Sequence, residues 1–401
     1  MAKHALIYLS FHEPQRLRLP LQPIPFVAEP DRIRACLFDE EATQFFLQRW
    51  IEDICEPYTR LLQGLVANGA KFLVNVSGPL FHSLTQTQND IAADFLQLLR
   101  HPNVSPVCSE ARHSISLYLD IELFRREMRE AREAITAAIG NVPILAVAPH
   151  LGINNETYHI FHQLGFSGII ADGCWDLLRG SSPGYVRRNG AGPHVLIRDG
   201  ALSLQLAATL SAPTHSAYPL DSSMIARRII EANEDMVVLG WQVGLLNGET
   251  SKSRELTLFE DITYNLLRNG VVFPKISGIL SDDQTACLPL PLPAIPTTSV
   301  EYGNVFSFFG HPTQKSLFNS MRQAISVARL SGQAELTDLA LEMAQWDVLE
   351  LIHQIVVSNG NAKEPHYLTT AAWNYLGIDG TVSSLHSLYE HFIQTVTQRY
   401  L

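Results

Sequence analysis

Leu6-Ile7-Tyr8-Leu9-Ser10-Phe11-His12-Glu13-Pro14-Gln15-Arg16-Leu17-Arg18 is the stretch on which the fold turns. Five of its first six residues are apolar or aromatic, a strand-forming run, and the run stops at a histidine, an acid and a proline. A second such run covers Lys71 to Gly78. Between the two, roughly Glu40 to Asn68 reads as helix, with Phe45, Phe46, Trp50, Ile54, Leu61, Leu62 and Leu65 spaced along one face of a helix or helix pair. Further strands are predicted at Val104 to Cys108, Ile144 to Ala148, Gly168 to Ala171, His194 to Ile197, Met236 to Trp241 and Val271 to Phe273. Strands separated by helices predict a parallel α/β barrel or sheet. In such folds the residues just past each strand end carry the chemistry.

From about Pro312 the strand-like runs give way to long helical patterns at Ser316 to Leu330, Ala334 to Val356 and Val382 to Tyr400. The proline-rich stretch Leu288 to Pro296 before them reads as an extended connector. No internal repeat is visible. The chain has 401 residues, 46% of them hydrophobic, enough for one large core or two ordinary ones. A formal charge of -11 argues against a sequence-independent nucleic-acid binder, which needs a basic stripe. Neither a signal peptide nor a membrane span is recognisable. The five scattered cysteines (Cys36, Cys55, Cys108, Cys174, Cys287) contain no CxxC pair and read as reduced thiols of a cytoplasmic protein.

The run Leu6 to Arg18 resembles the opening strand of the family 57 glycoside hydrolases, which ends in His-Gln-Pro where this chain has His12-Glu13-Pro14. The likeness continues in order through Phe38-Asp39-Glu40-Glu41, Val74 to Gly78, Arg112-His113-Ser114, Leu164 to Gly168, Asp172-Gly173, Arg198-Asp199, Tyr218-Pro219-Leu220 and Trp346-Asp347. The resemblance implies an incomplete seven-stranded (β/α) barrel over 1–296 and a helical region over 297–401 packing against it. It also implies an α-glucan or oligosaccharide as partner and no cofactor.

The resemblance further implies a retaining mechanism, in which two carboxyl groups about 5 to 5.5 Å apart serve as nucleophile and acid/base. At the nucleophile position this chain reads Ala148-Pro149-His150-Leu151, and at the acid/base position Leu239-Gly240-Trp241-Gln242. His150 and Gly240 therefore stand where the family keeps its carboxylates, which predicts that ordinary hydrolysis is lost. Glu156 and Glu249 are the nearest carboxylates. Glu156 reads as a helix-start charge, and Glu249, in the polar loop Asn247 to Ser251, as a candidate to reach a ligand.

His12, His113 and His150 each stand at or just beyond a predicted strand end. Three imidazoles suffice for a zinc site with an open position, but His12 and His113 match histidines that the family uses on sugar without metal, so polar lining is preferred. Trp241 is expected to line the cleft as a stacking platform, Trp175 is undecided, Trp346 is expected to pack, and Asp347 to reach the cleft with Gln242. Three roles follow. The first is a non-catalytic protein that binds α-glucan or maltooligosaccharide, or regulates carbohydrate metabolism. The second is an enzyme with rearranged groups. The third is an assembly role with a protein partner and a vestigial cleft.

Overall fold

The computed structural model describes residues 3–19, 29–211, 221–232, 234, 236–243, 249–281, 287–294, 310–357 and 370–401. The chain forms two compact units, the first made of Met1–His12, Arg49–Glu110 and Met128–Asn304, the second of Glu13–Gln48, Ala111–Glu127 and Val305–Leu401. The boundary expected between 296 and 297 lies outside the described residues. Two segments read as barrel, 13–48 and 111–127, belong to the helical unit instead. Both leave the chain just after a strand, where α/β folds place long insertions. Periodicity along the chain does not reveal which core such an insertion joins.

The first unit carries nine strands among the described residues: β1 (His4–Phe11), β2 (Phe72–Val76), β3 (Val104–Cys108), β4 (Leu145–Val147), β5 (Gly168–Asp172), β6 (Arg187–Arg188), β7 (His194–Arg198), β8 (Met236–Gln242) and β9 (Leu288–Pro289). Their order is β8-β1-β2-β3-β4-β5-β7-β6-β9. The seven from β8 to β7 run parallel, whereas β6 is antiparallel to β7 and parallel to β9. This is the incomplete seven-stranded barrel that the sequence implied. At its open seam the Asp199 amide donates to the Val238 carbonyl at 2.8 Å, and the Gly240 amide to Ser203 Oγ at 3.0 Å.

Two strand expectations change. The 271–273 run makes only one bridge among the described residues, Val272 to His4. Leu288-Pro289, read as a connector, is an edge strand, a place where a missing proline donor costs little. The helical stretch Glu40 to Asn68 is continuous but passes through a π turn at Ile51–Cys55, where Pro57 has no amide to close the ordinary ladder. Phe45 on that helix is 57% exposed, so it does not belong to the buried face expected of it.

Alternation along the strands divides the barrel interior into two layers. Leu6 and Tyr8, Leu73, Val107, Leu145 and Val147, Ile170, Leu196, Met236 and Val238 form one buried apolar cluster. Two residues further along, the same strand faces carry Ser10, Asn75, Ser109, Asp172, Arg198 and Gly240. The apolar layer holds the barrel together, at roughly 1.5–3 kcal/mol for each fully buried large aliphatic side chain. The polar layer lies at the carboxyl ends. The opposite faces pack on helices: Phe11, for example, meets Trp50, Tyr58 and Phe95 edge-on at 5.2–6.2 Å between ring centres.

The second unit is helical, with Pro30–Leu37, Pro312–Leu330, Ala334–Met343, Trp346–Val357 and Thr370–Tyr400 as its main elements. The helix expected over Ala334 to Val356 is two helices. The break at Ala344 frees its carbonyl to accept the Ile115 amide at 2.9 Å, and the Trp346 amide donates to the His113 carbonyl at 3.2 Å. Trp346 is fully buried, edge-on to Tyr118 at 5.2 Å, as packing requires. None of the five cysteines is in a disulfide.

Candidate ligand-binding site

The polar layer of the barrel is organised around one ion pair. Asp172, at the end of β5, is 0% exposed, and its Oδ1 accepts from Arg198 Nε at 2.9 Å and Nη2 at 2.7 Å and from the Gly173 amide at 3.1 Å. Its Oδ2 is buried with no hydrogen-bond donor among the described residues. Burial raises the Asp172 carboxyl above its ordinary range, and Arg198 works against that shift. Burial likewise raises Tyr8, whose hydroxyl lies within the fields of Arg198 and of Glu110, a second buried carboxylate beyond β3. Ser109 Oγ donates to Asn75 Oδ1 at 3.4 Å beside them.

Gly240 is the close-approach point of this layer. A Cβ at 240 would stand 2.3 Å from Arg198 Cδ and 3.1 Å from its Cγ. The arginine side chain therefore runs through the space that any other residue at 240 would claim. Two residues on, Gln242 is exposed at the end of β8, opposite Ser10 in the register.

The expected site residues divide between the two units. His12 ends the first segment of the barrel unit, half-buried, with Nδ1 at 2.7 Å from Ser77 Oγ. His150 occupies a short turn after β4 with φ 54 and ψ 26, a left-handed conformation uncommon for a residue with a side chain. Trp241 departs from expectation. It is 4% exposed, its ring lies 5.0 Å from that of Phe259, and its indole N–H faces Glu255 Oε1 and Tyr58 Oη, each at 3.2 Å. The pleat explains this, because Trp241 is one residue past Gly240 and so points to the helix side. Glu249 begins the helix Glu249–Arg268 rather than sitting in a loop, and its side chain is outside the described residues. So are the side chain of Trp175 and the run Tyr218-Pro219-Leu220. Glu156 is an exposed first-turn charge on the helix Asn155–Gln163. Within the barrel unit, no three histidine, cysteine or carboxylate groups converge at metal-ligand spacing among the described residues.

In the helical unit His113 also has a left-handed backbone, φ 51. Its loop is tied down by Glu127, 0% exposed, which accepts from the Arg112 amide at 3.1 Å, from Ser114 Oγ at 2.5 Å and from Ser116 Oγ. His113 and Asp347 bring ligating atoms within 4.8 Å of one another, and Asp347 is 9% exposed. Glu350, one turn beyond Asp347, was not singled out by sequence. The only signal available was its i,i+3 spacing from Asp347 on one helix face. Burial first, then the Asp347 carboxylate, push the Glu350 carboxyl up to about 7 from its ordinary 4.5, while His113 pulls it down.

A carboxyl raised on folding favours the protonated protein. Glu350 therefore gives its full stability below about pH 4.5 and loses it as pH rises through about 7. Melting temperature measured across that window is expected to fall in the wild-type protein and to fall less in Glu350→Gln. Equal slopes would refute the assignment.

The family model for glycosyl hydrolase family 57 matches residues 9–261. The chain belongs to glycosyl hydrolase family 57. Solved structures share its fold over most or all of the chain. A branching enzyme from Thermococcus kodakaraensis is 13% identical, with a TM-score of 0.59 over 98% of this chain and 94% of its own. An α-amylase from Thermotoga maritima is 12% identical, with a TM-score of 0.57 over 100% of this chain and 94% of its own. A 4-α-glucanotransferase from Thermococcus litoralis is 13% identical, with a TM-score of 0.59 over 86% of this chain and 56% of its own. No curated protein matches this family 57 chain. None of its helices, among the described residues, is long and apolar enough to cross a membrane.

Proposed function

We propose that this family 57 member is a non-catalytic protein that binds an α-glucan or maltooligosaccharide at the carboxyl end of its barrel. The observation that carries the reading is the packing of Arg198 onto Gly240, the residue that matches the family's acid/base position. A side chain there would meet Arg198 Cδ at 2.3 Å, so the space of a proton donor is already filled. His150, matching the nucleophile position, supports the same reading, because an imidazole is a poor partner for an oxocarbenium-like transition state. His12, His150 and Gln242 are the contacts the reading assigns within the barrel unit. His113 and Asp347 belong to the helical unit. The branching enzyme, α-amylase and 4-α-glucanotransferase that share the fold support a glucan as the ligand class.

Calorimetric titration with maltooligosaccharides of increasing length, followed by chromatography of the same mixtures, tests the proposal. Binding without shortened or transferred products is the expected result. Product would instead support an enzyme with rearranged groups. Absence of binding would favour a protein-interaction role.

A further inference from the structure

Arg198 has more donors than Asp172 uses. A guanidinium carries five N–H donors in a rigid fork. Here Nε and one Nη2 hydrogen are directed at Asp172 Oδ1, and among the described residues no other acceptor serves this arginine. The side chain is 16% exposed, so the rest of the fork reaches solvent from a fixed position. Gly240 admits the stem of the side chain, and Asp172, fully buried, anchors its head.

We propose that Arg198, whose stem fills the space of the family's acid/base, is a ligand-positioning residue whose spare N–H groups donate to the hydroxyl oxygens of a neutral sugar. This rests on the binding function proposed above and names a residue that carries it. The charges favour a neutral ligand over an anionic one. Asp172, fully buried, already offsets the charge of the Arg198 guanidinium, so an anionic sugar would meet a neutralised pair and gain little from it. A pre-held fork also loses little side-chain freedom on binding, unlike a mobile surface arginine.

The test is calorimetric titration of the full chain with maltohexaose, comparing the wild type with Arg198→Lys and with the charge-neutral double variant Arg198→Gln/Asp172→Asn. Lysine keeps the charge but loses the planar fork, and the double variant leaves no buried charge stranded. Urea midpoints establish that each variant is folded. Both variants are expected to bind at least tenfold more weakly than wild type, as loss of charge-assisted hydrogen bonds implies. Affinity within twofold of wild type in a folded variant overturns the proposal. A separate arm on wild-type protein compares glucose with glucuronate, and tighter binding of glucuronate overturns the preference for a neutral ligand. No heat with wild-type protein sinks the binding function itself, whereas wild-type binding that survives Arg198→Lys sinks only the role of Arg198.

Discussion

Gly240→Ala is expected to destabilise the barrel unit by about 3 kcal/mol, read as a lowered urea midpoint. The added methyl would stand 2.3 Å from Arg198 Cδ, well inside van der Waals contact. Overpacking alone costs about 1–3 kcal/mol when neighbours can yield. Here the neighbour is the middle of a side chain whose head is fixed to Asp172 by contacts of 2.9 and 2.7 Å. If Arg198 moves away, a carboxylate that is 0% exposed loses its counter-charge, and stranding a buried partner costs about 3–5 kcal/mol. A midpoint unchanged by Gly240→Ala would show that Arg198 is not held where the structure places it. In the Arg198→Gln/Asp172→Asn background the same alanine is expected to cost less, because the displaced side chain no longer leaves a buried charge behind.

Glu127→Ala has an effect of similar size in the helical unit, about 4 kcal/mol. Glu127 is 0% exposed and accepts from the Arg112 amide, Ser114 Oγ and Ser116 Oγ. Alanine would leave three donors without their acceptor, at about 1–3 kcal/mol each where no water enters. The loss is localised to the loop that presents His113. Hydrogen exchange at the amides of residues 112–116 is therefore expected to accelerate before the helices open. Glu127→Gln keeps one carbonyl acceptor and is expected to recover part of the loss. Unchanged exchange in Glu127→Ala would show that the loop is held by other contacts.

How far the sequence carried the site depends on the kind of interaction. His12 and His150 each follow a strand, and strand ends are visible as the place where an apolar run stops, whereas Gly240, inside β8, stands out only through the family resemblance. Asp172 and Arg198 were noticed only as family-like pairs, Asp172-Gly173 and Arg198-Asp199, and nothing in either pair says that they face each other across β5 and β7. Trp241 was misplaced by the same local reading, since being next to a strand end does not state which face of the pleat a residue occupies. Glu127 gave no sign at all. It lies on a helix dense with charges, where one buried carboxylate looks like its solvated neighbours.

The sequence alone determined what depends on residues near one another along the chain. Runs of β-forming residues set seven strands, the intervening periodic segments set the helices, and the order of short motifs identified the family. Only the tertiary structure decided which distant groups meet. It put Arg198 into the space beside Gly240, took 13–48 and 111–127 into the helical unit, and turned Trp241 toward Glu255. The physical reason is one of range. Strand and helix propensities come from the backbone and its nearest neighbours, whereas burial, charge pairing and the space left by a glycine belong to residues that the fold brings together from separate parts of the chain.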